Sequence, residues 1–206
     1  MNKKNLNLQI TRLDGKDCFV EAMSGAFAIG KVNLNFISYN TALEKGKKQT
    51  ARINAYVDID DFLLLANDVL SGKIHTLAEK EKASGSKYPQ AVWSVMGGQS
   101  AKKANREDGK ALSRQIKIIP GLKKPFLLQA EQGVGEENET GLIVPKYTKP
   151  ESKVMIPLTA DDLKKLALMV KAHIEAFYGA VYSGAITLPG AYTGETKEQL
   201  PPPGEE

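Results

Sequence analysis

Alternating apolar and polar positions run through much of the chain and predict a protein rich in β-strands. The segments KVNLNFISY (31–39) and RINAYVD (52–58) place apolar residues at every second position. This period of two is typical of strands with one buried and one solvated face. Turn residues separate further strand-like segments, which are NLQITRL, CFVEAM, AVWSVM, RQIKII, PFLLQAE, GLIVPKY and KVMIPL. The pattern therefore predicts antiparallel sheets.

Two segments have a helical period instead. Apolar residues recur three and four positions apart in DDFLLLANDVLSG (60–72) and in ADDLKKLALMVKAHIEAFYG (160–179), which predicts two amphipathic helices. Asp58 and Thr159 precede these segments and are residue types that commonly cap helix N-termini. We therefore expect a side-chain cap at the start of each helix.

The two strand-to-helix junctions repeat each other. Residues 52–69 and 153–170 superpose without a gap at an offset of 101 residues, so that Ile53 meets Val154 and Val57 meets Leu158. Several strand-like segments precede each copy, which indicates two tandem units. The predicted fold class is α+β, with each unit built of antiparallel strands followed by one helix.

This organisation predicts the domain boundaries. Residues 1–78 form the first β-β-β-β-α unit and residues 86–186 the second, packed together as one domain. A charged, Gly- and Ser-containing connector is expected near residues 76–89. Residues 187–206 are rich in Pro, Gly and Glu, a composition that predicts a disordered, flexible acidic tail.

The β-β-β-β-α order, present twice, resembles the positive-cofactor-four and Whirly type of single-stranded-DNA-binding protein. The resemblance covers approximately residues 5–180 and rests on the order of elements, the paired junctions and the basic and aromatic residues interleaved with the strands. It implies a Whirly-like pseudo-dimer, in which one chain imitates two units whose helices pack beneath two strand surfaces. It also implies binding of single-stranded nucleic acid.

Composition argues against membrane-spanning, disulfide-linked and zinc-binding proteins. The chain has 206 residues, 42% of them hydrophobic, and no apolar run of membrane-spanning length. Cys18 is the single cysteine, and with only His75 and His173 beside it we expect neither a disulfide nor a zinc framework. We therefore expect a cytoplasmic protein with no cofactor, no metal and no membrane partner.

The charges are unevenly distributed. Residues 40–130 sum to +7 and residues 131–206 to −5, and the densest basic stretch is 101–124. Clustered cations and exposed aromatic rings are what a single strand requires for its phosphates and bases. The candidate nucleic-acid-binding residues are Tyr39, Lys47, Lys48, Arg52, Asn54, Tyr56, Lys102, Lys103, Arg106, Arg114 and Lys117. The same residues are also expected in the solvated turns and on the solvent-facing sides of the sheets of a protein that binds no nucleic acid.

The sequence thus favours a non-enzymatic protein that binds single-stranded DNA, with RNA as a second ligand, and with little sequence specificity. Such a protein would act in replication, recombination or transcription. No nucleophile, base or metal set of a familiar kind is recognisable. The alternatives are a protein-interaction or scaffold module of the same fold and an enzyme with an unrecognised site. Formation of a homo-oligomer is left open.

Overall fold

The computed structural model describes residues 8–188, which contain nine β-strands and four α-helices. The strands are β1 (Gln9–Asp14), β2 (Cys18–Met23), β3 (Lys31–Tyr39), β4 (Gln49–Asp58), β5 (Trp93–Gln99), β6 (Ala111–Pro120), β7 (Phe126–Glu137), β8 (Ile143–Pro145) and β9 (Ser152–Leu158). The helices are α1 (Ile59–Leu70), α2 (Lys73–Ala83), α3 (Ala101–Ala104) and α4 (Ala160–Tyr182). Nearly all of the predicted acidic tail, 187–206, lies outside the described residues.

The first sheet is an antiparallel meander in the order β1-β2-β3-β4. Phe36 on β3 lies opposite Ile53 on β4, and both are fully buried. Tyr56 has the opposite parity to Ile53 and is 48% exposed, because successive strand side chains point to opposite faces. The alternation predicted for these two strands is confirmed except at Asn35, which was expected on the solvated face of β3 and is buried.

The second sheet runs β5-β6-β7, and the free side of β7 pairs with two strands. Residues 126–132 of β7 pair with β9, and residues 135–137 pair with the three-residue β8. The second unit therefore has five strands rather than the four of the predicted pattern. Gln115 on β6 has the strand parity opposite to that of the core residue Ile116, yet it is buried between its register partners Met96 and Glu131. Two antiparallel sheets, each followed by helices, confirm the predicted fold class.

Helix α4 begins with the predicted cap. The Thr159 hydroxyl accepts a hydrogen bond from the Asp162 amide at 3.1 Å, and the Asp162 carboxylate accepts one from the Thr159 amide at 2.9 Å. This reciprocal capping box satisfies two amides that would otherwise have no partner in the helix. The prediction of a side-chain cap at Thr159 is confirmed.

The corresponding prediction for α1 is wrong. Asp58 occupies the N-cap position but makes no side-chain capping hydrogen bond. Its carboxylate instead accepts a hydrogen bond from the Lys31 ammonium, and Lys31 lies directly opposite Asp58 in the β3–β4 register. Lys31, on the neighbouring strand, therefore binds the Asp58 carboxylate that would otherwise have capped α1.

Helix α2 occupies much of the segment expected to be a connector. It follows Gly72, whose φ of +82° lies in the left-handed region and lets the chain leave α1 and start a new helix. Only Ile74 and Ala78 of α2 are buried, so the sequence shows too narrow an apolar stripe to predict a helix. The boundaries at residues 78 and 86 stay a prediction.

One hydrophobic core joins the two sheets. It contains Phe36 and Ile53 of the first sheet, Ile116 and Leu128 of the second, and the apolar faces of α1 and α4, among them Val170. Burying each such side chain contributes about 1.5–3 kcal/mol. The shared core brings β4, the edge strand of the first sheet, into contact with β5, the edge strand of the second.

Candidate nucleic-acid interface

A groove of about 500 Å³ runs between the edge strands β4 and β5. Its walls come from both sheets, from the short helix α3 and from the residues leading into β8. They are Ile29, Lys31, Ala55, Tyr56, Asp58, Val95, Met96, Gly97, Gly98, Lys103, Arg114, Ile116, Gly141, Leu142 and Ile143. The groove thus combines an apolar lining with a small number of cations and one phenol ring. We call it the β4–β5 groove.

Arg114 is one of three cations in the groove walls, where Lys31 is paired with the Asp58 carboxylate. The Arg114 side chain is on the same face of β6 as the core residue Ile116. Arg114 lies nearer the first residue of β6, however, at the edge of the core. Its Nη2 is 3.4 Å from the Gln99 Oε1, and its Nε is buried with no hydrogen-bond partner. Burial lowers the pKa of Arg114, opposed by the neighbouring Tyr56 hydroxyl. Among residues 8–188 no carboxylate forms an ion pair with it, so the guanidinium is available to an anion.

Tyr56 provides an aromatic surface beside this cation. It projects from β4 between the buried Ala55 and Val57, and its half-exposed ring borders the groove. A phenol ring next to an available guanidinium is a pairing that suits a base and its phosphate. Lys103, on α3, adds a second exposed cation to the same walls.

The outer face of β4 extends this surface away from the groove. Arg52 and Asn54 have the same strand parity as Tyr56, and the Arg52 Nε lies 3.4 Å from the Asn54 Oδ1. Five of the eleven candidate residues therefore come together on one side of the molecule. They are Arg52, Asn54, Tyr56, Lys103 and Arg114.

Other candidates lie at a distance from the groove. Lys47 and Lys48 are in the β3–β4 loop, beyond the opposite end of β4, and nine strand residues correspond to about 30 Å. Tyr39 packs near Phe19, with ring centroids 6.1 Å apart, and its hydroxyl lies 3.3 Å from the Lys16 carbonyl oxygen. The structure does not bring these three candidates to the β4–β5 groove.

Lys117 on β6 and Arg106 in the loop before β6 already have acidic partners. The Lys117 ammonium is 3.1 Å from the Glu131 carboxylate. Arg106 donates to both Asp108, at 2.9 Å, and Glu151, at 2.7 Å. These contacts raise the pKa of Arg106 and lower the pKa of Asp108 to about 2.

Lys102 differs from these two because it is exposed on α3 and makes no ion pair with any described residue. It is adjacent in sequence to Lys103, although it is not among the residues that form the groove walls. Lys102 is therefore placed to contribute to the field around the groove rather than to its interior.

Sequence reasoning missed the glycines that shape the groove. Gly97 lies directly opposite Arg114 in the β5–β6 register, and a Cβ built there meets no atom within 4 Å. At Gly98 the same atom would meet the Leu112 carbonyl oxygen at 2.1 Å. Consecutive glycines inside a strand-like segment were the available signal, because they often mark a close approach of a backbone or a ligand.

Within residues 8–188, no three His, Cys, Asp or Glu side chains are grouped so as to hold a metal ion. None of the described helices combines the length and the apolar character needed to cross a membrane.

Comparisons with known proteins show a similarity of chain arrangement to solved structures. No protein-family model matches the sequence, and no curated protein matches it. Among solved structures, that of the plant transcriptional regulator PBF-2 is similar. The identity is 13%, the TM-score is 0.42, and the match covers 86% of this chain and 96% of that chain. At these values the similarity says nothing about a ligand or a site.

Proposed function

We propose that this protein binds single-stranded nucleic acid, DNA foremost and RNA as a second ligand, through the β4–β5 groove and the adjoining face of β4. The observation that carries the proposal is that Arg114, buried in part and without an ion-pair partner among residues 8–188, lies beside the half-exposed ring of Tyr56. A partly desolvated cation gains more from an incoming phosphate than a fully hydrated one does. A base stacked on Tyr56 would place its phosphate near that cation.

The geometry favours a single strand over a duplex. Stacking on a protein ring requires a base whose faces are free of neighbouring bases. Readout of a duplex usually places a helix in the major groove, but the basic helix nearest this surface, α3, has only four residues. Stacking and phosphate contacts tolerate every base, so we expect little sequence specificity.

The surface can continue beyond the groove. A strand that leaves Tyr56 along β4 would meet Asn54 and Arg52 and then approach the loop that carries Lys47 and Lys48. These residues would hold the backbone without contacting the base in the groove. Such binding would suit a cytoplasmic protein of replication, recombination or transcription that protects or presents a single strand.

The test is fluorescence anisotropy with a labelled 30-base oligonucleotide, single-stranded and then as a duplex, over a range of salt concentrations. We expect tighter binding of the single strand. Arg114 and Lys103 in the groove walls and Arg52 on the adjoining face of β4 should together give a slope of log affinity against log salt of about −2, from about −0.7 for each phosphate. Contacts with Lys47, Lys48 and Lys102 would make the slope steeper.

Substitutions of two groove residues test whether binding depends on the β4–β5 groove. Tyr56→Ala should weaken binding about 5- to 150-fold, the equivalent of about 1–3 kcal/mol for one stacked base. Tyr182→Ala is the matched control, because Tyr182 is 85% exposed on α4, away from the groove. Arg114→Gln should also weaken binding and leave the melting temperature unchanged or higher, since it removes an unpaired, partly buried charge. Absence of binding at low salt would reject the proposal and favour the scaffold alternative.

A further inference from the structure

A second cleft, of about 670 Å³, lies on the far side of the second sheet and is separate from the β4–β5 groove. It forms where the segment that follows α2 passes the turn between β6 and β7. Its walls are Lys82, Ser86, Lys87, Tyr88, Pro89, Ile119, Pro120, Gly121, Leu122, Leu127 and Lys153. No wall residue is shared with the β4–β5 groove.

Large apolar side chains are unusually exposed here. Leu122, at the tip of the β6–β7 turn, is fully exposed, and Tyr88 is 73% exposed. Pro89 and Pro120 lie beside them in the cleft. Grooves lined by aromatic side chains are typical of sites that bind proline-rich segments, and Tyr88 provides an aromatic ring in this cleft. The cleft is therefore suited to an extended chain rather than to a compact ligand.

Lysines give the cleft a positive rim. Lys87 makes no ion pair with any described residue, and its ammonium is 5.6 Å from the centre of the Tyr88 ring. Lys153 is only loosely paired, at 3.7 Å from the Glu131 carboxylate, whereas Lys82 is paired with Glu79 at 2.9 Å. An occupant with carboxylates next to its prolines would complement both features of the cleft.

The chain itself contains such a segment. Residues 200–206 read LPPPGEE, with three consecutive prolines followed by Glu205 and Glu206. These residues lie outside the described part of the structure. Consecutive prolines favour the extended polyproline II conformation, which loses little entropy on binding. We propose that residues 200–206 bind this cleft within the same chain, with the prolines against Tyr88 and Leu122 and the carboxylates toward Lys87 and Lys153.

The length of chain allows this contact. The last described residue, Leu188, precedes Pro201 by 13 positions, which can span up to about 45 Å when extended. A compact chain of this size has a radius of gyration of about 17 Å. The segment can therefore reach a cleft that lies within about 45 Å of Leu188 along the surface.

Disulfide trapping in the full chain tests the proposal, because the sequence has one cysteine. Cys18→Ser removes it and keeps a donor for the Met155 carbonyl oxygen, which the thiol contacts at 3.2 Å. Leu122→Cys and Gly204→Cys then place one thiol in the cleft and one in the segment. The matched control replaces Leu122→Cys with Leu64→Cys, since Leu64 is 67% exposed on α1.

With oxidised glutathione and no nucleic acid, the cleft pair should form an intramolecular disulfide at least about tenfold faster than the control pair, because binding raises the effective concentration of the two thiols. Lys87→Glu should reduce the rate toward that of the control, and thermal melting should show that each variant folds. Equal rates for the two pairs, a rate unaffected by Lys87→Glu, or a product that is mainly a disulfide-linked dimer would each overturn the proposal.

Discussion

Gly97→Leu is the most informative single substitution, because it fills the β4–β5 groove without disturbing the fold. Gly97 lies opposite Arg114 on neighbouring strands, where directly opposed Cβ atoms are about 4.5–5.5 Å apart. A Cβ at position 97 meets no atom within 4 Å, and the residue has no left-handed φ. A leucine would therefore occupy the space between Arg114 and the rim of the groove.

The expected loss of affinity follows from what the leucine displaces. Exclusion of one stacked base costs about 1–3 kcal/mol, which is about 5- to 150-fold in affinity. Loss of a hydrogen bond between the Arg114 guanidinium and a phosphate adds about 1.5–3 kcal/mol. Contacts along β4 outside the groove remain, so weak, salt-sensitive binding should persist.

Stability should change in the opposite direction. Replacing a glycine restricts the unfolded chain and stabilises a compatible site by about 0.4–1 kcal/mol. Anisotropy titration and thermal melting of the same samples should therefore show lower affinity with an unchanged or higher melting temperature. Gly179→Leu is the control, because a Cβ at Gly179 on α4 also meets open space. Unchanged affinity of Gly97→Leu would show that nucleic acid does not enter the groove.

Three further predictions concern the fold. Thr159→Ala should cost about 1 kcal/mol in the free energy of unfolding, measured by urea denaturation, because one half of the α4 capping box is lost. Phe36→Ala should cost about 3–5 kcal/mol, since the side chain is fully buried in the core; a much smaller cost would contradict its placement. Arg106 holds the pKa of Asp108 at about 2, below the ordinary value of about 3.9. Because the pKa of Asp108 is lowered, the Arg106–Asp108 contact stabilises the folded state above about pH 4. This stabilisation is lost as the pH falls toward 2. In Arg106→Gln, an NMR titration should show the pKa of Asp108 raised toward the ordinary value but still below it, because the Lys110 amide continues to donate to the carboxylate.

The sequence predicted those parts of the fold that depend on local pattern. The strands that pair Phe36 with Ile53 have a clear period of two, and α4 has both its apolar stripe and its capping residues within a few positions. Helix α2 was missed because two buried residues do not make a detectable stripe. The cap at Asp58 was wrong because Lys31, 27 positions earlier, binds the same carboxylate. A local sequence pattern cannot show that a residue distant in the sequence will bind the side chain expected to cap the helix.

The candidate site depends still more on long-range contacts. Tyr56 and Arg114 belong to different sheets, and nothing in the sequence relates them until the shared core brings β4 against β5. Alternation alone placed Tyr56 on an exposed face, but it could not show that a cation lies beside it. The residue types were therefore predictable, whereas the groove that combines them was not.

Arg106 and Arg114 show why a count of charges does not locate a binding site. They are eight positions apart in the same basic stretch and are chemically identical in the sequence. In the fold, Arg106 meets Asp108 and, from 45 positions away, Glu151, and these carboxylates compete with any phosphate for its donors. Arg114 instead enters a groove where Gln99 is its hydrogen-bond partner and its Nε has none. Because the free energy gained from a ligand depends on the contacts a group must first give up, we expect Arg114 to bind a phosphate better than Arg106 does.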